Sequence, residues 1–163
     1  MLTTTRPNIN QKLLLLDSNI FVFAHQPEHP KHTIAVSLVR RGTEGKEPLA
    51  AAQQNLLEWY SVITSHRQKY APLDPSQAAR VLRNYQQSNL PIVQPVLRTW
   101  TLFLQLLTQQ ADSVGKDIFD MYLAATALSN GIGTILTDNT KDFTGIPGLT
   151  AVNPFLDEAS LAR

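Results

Sequence analysis

Lys12-Leu13-Leu14-Leu15-Leu16-Asp17-Ser18-Asn19 is the stretch on which the fold turns. Its four leucines do not alternate with polar residues, so residues 13–16 read as a strand covered on both faces, the condition of strands in a parallel sheet. The run ends in an acid. Ser18-Asn19 then suits the opening of a helix, and Ile20, Phe21, Val22 and Phe23 carry that helix towards Ala24 before Pro27 and Pro30 break it.

Outward from this start, the chain alternates between the two kinds of element. A second helix is expected over 32–41, a loop at Gly42 and Gly45, and a short strand over 48–51. Leu56, Trp59, Tyr60 and Ile63 fall at i, i+3, i+4 and i+7 of a helix predicted over 53–68. Asp74-Pro75-Ser76 opens another, with aspartate as cap and proline in the first turn. Residues 91–95, Pro-Ile-Val-Gln-Pro, read as an edge strand because proline cannot donate to a ladder. Helices over 97–111 and 117–129 follow, the second stopped by Asn130-Gly131, and strands are predicted over 134–137 and 149–152. Short strands alternating with helices predict an α/β fold, a three-layer α/β/α sandwich around a mostly parallel sheet. Residues 1–11 are polar and read as a flexible N-terminal tail, with residues 12–163 forming a single domain.

The composition narrows the class. A chain of 163 residues with 43% hydrophobic and 17% charged residues is neither disordered nor in need of covalent staples. It contains no cysteine, which excludes disulfides and thiolate metal sites and fits a cytoplasmic location. No apolar run is long enough for a membrane span. The net charge of +1 hides an expected asymmetry. If Asp17, Glu58, Asp117, Asp120 and Asp142 share one pocket, 14 lysines and arginines face eight other acids. The exterior would then carry an excess of positive charge, suited to a polyanion.

In open α/β sheets, ligands bind beyond the carboxyl ends of the strands. Asp17 and Asp138 directly follow two predicted strands, and Asp142 comes soon after. Asp17 suits a helix cap as well as a ligand, and Asp138 and Asp142 also suit ordinary turns. Glu58 interrupts Leu56-Leu57-Glu58-Trp59-Tyr60, where a carboxylate either reaches water from the edge of the apolar stripe or needs a cation. Asp117 and Asp120 lie three apart on one face at a helix start, a position the helix dipole favours without any chemistry. Asp120 stands among Ile118, Phe119, Met121, Tyr122 and Leu123. Carboxylates converging without lysine or arginine partners repel one another unless a divalent cation joins them, and hard oxygen ligands select Mg2+ or Mn2+. Such an ion lowers the pKa of a bound water and steadies charge during phosphodiester displacement.

The motifs also resemble a known family. Leu14-Leu15-Leu16-Asp17-Ser18-Asn19-Ile20-Phe21 resembles the opening strand and acidic turn of the PIN domain, and residues 52–64 resemble its glutamate helix. Asp120-Met-Tyr-Leu-Ala-Ala-Thr-Ala-Leu128, then Thr137-Asp-Asn-Thr-Lys-Asp-Phe143 and Pro147-Gly-Leu149, resemble its last two motifs. All stand in order across nearly the whole chain. The subgroup most similar is the VapC-type toxins of bacterial toxin–antitoxin pairs. That resemblance implies a Mg2+-dependent endoribonuclease acting on RNA, inhibited by a small cognate antitoxin and commonly a homodimer. Carried over by position, Asp17 and Asp120 would be metal ligands, Glu58 would bind metal or orient the water, and Asp142 would complete the set. Asp138 is its reserve and Asp117 an accessory.

Two other readings compete. The same fold could bind RNA or a partner protein without turnover. A phosphoacceptor receiver domain also gathers acids at strand ends, but it needs paired early acids and a lysine closing a late strand. Asp17 has no acidic neighbour over 15–21, and Lys141 lies beyond Thr137. His25, His29 and His32 mimic zinc spacing, yet Pro27 and Pro30 deny them a common helix, and they are expected to be exposed loop side chains. Lys31, Arg40, Arg41, Lys46, Arg67 and Lys69 could track a phosphate backbone or simply solvate the surface.

Overall fold

The computed structural model describes residues 12–110, 115 and 117–156; the predicted tail over 1–11 lies outside them. Five strands, β1 (Leu14–Leu16), β2 (Leu49–Ala52), β3 (Ile92–Val93), β4 (Thr134–Leu136) and β5 (Thr150–Val152), form one sheet in the order β3-β2-β1-β4-β5. All four pairings are parallel. The helices are α1 (Ser18–Ala24), α2 (His32–Thr43), α3 (Gln53–Ile63), α4 (Pro75–Gln87), α5 (Thr99–Gln109) and α6 (Asp117–Ser129), with a 3₁₀ turn at Thr140–Phe143.

The leucine run behaves as a doubly covered strand should. Leu15 pairs in register with Ala50 and Ile135, and all three point into a core shared with α5 and α6. Leu16 pairs with Ala51 and Leu136, and these enter the opposite core, which also holds Ile20, Phe21, Leu38, Trp59 and Ile63. One core on each face of the sheet makes three layers. Ala124 and Ala127 are fully buried, so α6 packs closely against the strands. At the far end of α6, Gly131 takes a φ of +76° and the Ile132 N–H reaches back to the Ala127 carbonyl at 2.9 Å, closing the helix as its sequence predicts.

Three local expectations need correction. The helix predicted to Gln68 stops at Ile63, where the Gln68 side chain and the Leu73 N–H both donate to the Ile63 carbonyl, each at 2.8 Å. Gly42 is not in a loop but in the last turn of α2, where a Cβ would stand 2.9 Å from Leu90 Cδ1. The histidines are half-buried rather than exposed: His25 packs on Trp59, and His29 stacks on Phe23 with ring centres 3.9 Å apart. Among the described residues, no helix is long and apolar enough to cross a membrane.

The strand order fixes where a site can form. The chain leaves β1 towards β2 on one side and returns through β4 on the other, so β1 and β4 meet at the topological switch point. Hydrogen bonds continue past the strand ends there. Asp17 N–H donates to the Leu136 carbonyl at 3.0 Å and Thr137 N–H to the Val152 carbonyl at 2.9 Å. These bonds set Asp17 beside Thr137.

Candidate active site

Asp17 is both the cap of α1 and a buried carboxylate, 8% exposed. Its Oδ1 accepts from Ser18 N–H at 2.7 Å, and at 3.4 Å from both the Ser18 hydroxyl and Asn55 Nδ2. Its Oδ2 accepts from the Thr137 hydroxyl at 2.7 Å and from Asn19 Nδ2 at 2.9 Å. The clamp is itself held. Asn19 Nδ2 also donates to Thr137 Oγ1 at 3.0 Å, and the fully buried Asn55 accepts from Ala52 N–H at 3.1 Å. These donors are neutral. They orient the carboxylate without cancelling its charge.

Burial therefore pushes the Asp17 pKa above the usual aspartate value. The nearby charge of Glu58 pushes it the same way, while the hydrogen bonds from Thr137 and Ser18 oppose the shift. Asp17 and Glu58 thus stand close enough to repel. Among the described residues, the ion pairs are Lys31–Asp138, Arg41–Glu47 and Lys46–Glu44, and none engages either acid. Two like-charged carboxylates at a strand-end crevice, one held firmly by neutral donors, make a donor set that fits a hard divalent cation, since Mg2+ is bound through one or two carboxylates and keeps several waters. A fuller cage is not formed: among the described residues, no three His, Cys, Asp or Glu side chains stand close enough to hold one ion.

The remaining predicted acids are not gathered onto this pair within reach of one ion among the described residues. Half-buried Glu58 projects from α3, which starts directly where β2 ends, and its Oε1 accepts from Gln54 Nε2 at 2.8 Å. Asp120 is half-buried in the first turns of α6. The carbonyl of its neighbour Phe119 accepts from the same Gln54 Nε2 at 2.8 Å, which ties the start of α6 to α3. Asp142 is exposed in the 3₁₀ turn, and its Oδ2 accepts from Asn139 Nδ2 at 2.6 Å. Asn139 N–H donates in turn to Thr137 Oγ1 at 3.1 Å, so Asp142 connects to Asp17 through two residues. The reserve acid Asp138 is occupied otherwise: its Oδ1 takes the Lys31 ammonium and Asn153 Nδ2. That neutralisation favours Asp142 over Asp138 as the last acid. Asp117 opens α6, and its side chain lies outside the described structure.

The histidine spacing yields no zinc site among the described residues. His25 Nδ1 and His32 Nδ1 each lie 2.9 Å from a backbone carbonyl, of Phe21 and Phe23. Sequence reasoning did not single out Asn19, Asn55, Thr137 or Gln54 as working residues. The first three carried a readable signal, a polar side chain at a strand end or helix start, each beside one apolar neighbour. Gln54 carried none, because its role depends on the packing of α6 against α3.

The chain has recognisable relatives. It is 29% identical over 127 residues to the VapC ribonuclease Mb2897 of Mycobacterium bovis, which covers 77% of this chain and 86% of that protein. Among solved structures it is similar to VapBC2 from Rickettsia felis bound to a DNA fragment from its promoter, at 21% identity and a TM-score of 0.62, covering 86% of this chain and 98% of that one. It is also similar to the sarcin-ricin loop cleaving toxin VapC20 of Mycobacterium tuberculosis, at 12% identity and a TM-score of 0.58, over 81% of this chain and 95% of that one. The family model described as PIN domain matches residues 14–148. Since that match runs from the first residue of β1 to the turn before β5, the chain belongs to the PIN domain family.

Proposed function

We propose that this protein is a Mg2+- or Mn2+-dependent endoribonuclease, the toxin of a toxin–antitoxin pair, acting in the cytoplasm. The observation that carries the reading is the buried Asp17 carboxylate, clamped by neutral donors beside Glu58, with no ion pair to either acid among the described residues. The name of the Mycobacterium bovis relative supports the same activity. When bound, the ion supplies a water of lowered pKa and stabilises charge on the scissile phosphate. Asp17 and Asp120 would be its ligands, Glu58 would bind it or orient the attacking water, and Asp142 would complete the acidic set, an arrangement that requires these side chains to draw closer than they stand without metal. Thr137, Asn19 and Asn55 hold the Asp17 oxygens in place, so that ligand does not reorganise on metal binding.

A similar fold is found in a toxin–antitoxin complex from Klebsiella pneumoniae, and we assign this chain a small antitoxin protein as well. A groove of about 570 Å3, in which Leu56, Leu57, Leu82, Leu90 and Ile92 alternate with Gln53, Gln86 and Gln94, lies along the helix that carries Glu58, where an antitoxin would cover a mixed apolar and polar surface. A homodimer would in turn cover the exposed stripe of Leu97, Trp100 and Leu104 on and before α5.

The test is cleavage of a panel of RNAs by the purified protein with Mg2+ or Mn2+, with fragments sequenced. Cuts that EDTA stops and the metal restores are expected. Tight RNA binding with no cuts in either metal would favour a silent RNA-binding regulator instead. Finding a small protein encoded by an adjacent gene that co-purifies with this chain, with loss of cleavage in the complex, tests the antitoxin. A Trp100→Glu variant that shifts the protein from dimer to monomer tests the self-association face.

A further inference from the structure

Gln54 joins two parts of the site, Glu58 on α3 and the start of α6. Its two amide hydrogens go to different elements, one to Glu58 Oε1 and one to the Phe119 carbonyl, both at 2.8 Å. The first contact lies within α3, four residues on, and fixes the Glu58 carboxylate. The second crosses to α6 at the residue before Asp120. The amide cannot sit the other way round, since a flip would aim Oε1 at two acceptors.

The far end of the same group gains nothing. Among the described residues, Gln54 Oε1 is buried and accepts no hydrogen bond. A buried acceptor without a donor costs stability and calls for an explanation. Here the satisfied end is the one that faces a proposed metal ligand.

We propose that Gln54 is a positioning residue for metal binding: by donating to Glu58 and to Phe119 at once, it sets both the direction of the Glu58 carboxylate and its separation from Asp120. This rests on the carboxylate reading given above. Partners that orient metal-binding carboxylates typically contribute about 10–100-fold in affinity when mutated.

Gln54→Met keeps the length of the side chain but removes both the donor and the unpartnered acceptor. The experiment measures Mn2+ binding to the full chain from the free-ion electron paramagnetic resonance signal, and melting of the metal-free protein. The expected result is a Mn2+ Kd weakened by about 10–100-fold with an unchanged or higher metal-free melting temperature, and with cleavage largely recovered at saturating Mn2+. Weakened binding accompanied by a melting temperature clearly below wild type would assign Gln54 a structural role and overturn the proposal. Gln54→Ala serves the same comparison should the methionine variant misfold. Glu58→Gln is measured in parallel. Wild-type affinity in Gln54→Met beside weak binding in Glu58→Gln overturns the Gln54 assignment alone. Wild-type affinity in both variants overturns the carboxylate reading beneath it.

Discussion

Replacing Asp17 by asparagine separates the chemistry of the site from its architecture. Asparagine caps a helix as well as aspartate does, so the bond from Ser18 N–H at 2.7 Å survives through the remaining carbonyl oxygen. The new NH2 group then takes the place of Oδ2. It faces the Thr137 hydroxyl, which can turn to accept, and Asn19 Nδ2, which cannot. One buried hydrogen bond is thereby lost, at a cost of about 1–3 kcal/mol. Against that loss, the substitution removes a buried negative charge, whose raised pKa marks it as unfavourable in the fold at neutral pH. The two effects oppose, and a net change of about 1 kcal/mol moves the melting temperature of a domain this size by roughly 2–4 °C. Cleavage has no such compensation. Loss of a metal ligand should exceed the roughly 100-fold upper range for residues that merely orient one. The assay pairs initial rates on a labelled RNA, at several Mg2+ concentrations, with thermal melting in EDTA. Cleavage within a few-fold of wild type at ordinary Mg2+ would refute the site. A metal-free variant that no longer melts cooperatively would show that Asp17 is chiefly a structural cap.

The other consequences are narrower. In EDTA, the Asp17 carboxyl binds its proton more tightly in the folded state, so the penalty of its charge is present in full above the folded pKa and fades as pH falls through it towards 3.8. His25, whose pKa burial lowers, works the other way: its stabilisation is complete above 6.5 and is lost as pH falls below that through the folded value. Urea midpoints against pH should therefore lose only the acid-side gain in Asp17→Asn, and an unaltered profile would contradict the burial argument. Asp142→Asn should depress cleavage while Asp138→Asn leaves it near wild type, because the Lys31 partner of Asp138 already neutralises that acid; the reverse ranking would restore Asp138 to the site. Gly42→Ala should destabilise by about 1–3 kcal/mol, as overpacking does, since its Cβ would meet Leu90 Cδ1 at 2.9 Å and Leu49 Cβ at 3.2 Å; equal urea midpoints would mean that the α2–β2 contact yields freely.

The sheet was legible because its signal is local. Four leucines, three alanines after Leu49 and the Thr134-Ile-Leu136 run each announce a covered strand, and the acids following two of them mark the carboxyl edge. Tertiary contacts decided what was missed. Residues 64–68 have no apolar position to extend the α3 stripe, and the Ile63 carbonyl is taken by Gln68 and Leu73 instead of by a further helical turn. Pro27 and Pro30 correctly keep the histidines off one helix, but the spacing gives no hint that Trp59 would roof His25. The acids at the site were visible as residue types; the order in which neutral side chains clamp them was not, since Thr137 and Asn19 meet Asp17 only after β1 and β4 become neighbours.

That clamp explains how a strand-end acid remains available to an ion. The same edge of the sheet holds Asp138, which follows β4 as Asp17 follows β1, and there a lysine closes the charge. A permanent ammonium makes Asp138 a local tie that also engages Asn153, and its partially exposed pair contributes little to stability. Asp17 receives hydroxyl, amide and backbone donors in place of an ammonium, so its direction is fixed while its charge is left uncancelled, as the proposed metal binding requires. The difference between the two positions is therefore not acidity or burial alone but the kind of donor each meets. An exchange of donors, with the lysine ammonium at Asp17 and the neutral groups at Asp138, would leave the fold its hydrogen bonds and take away the proposed chemistry.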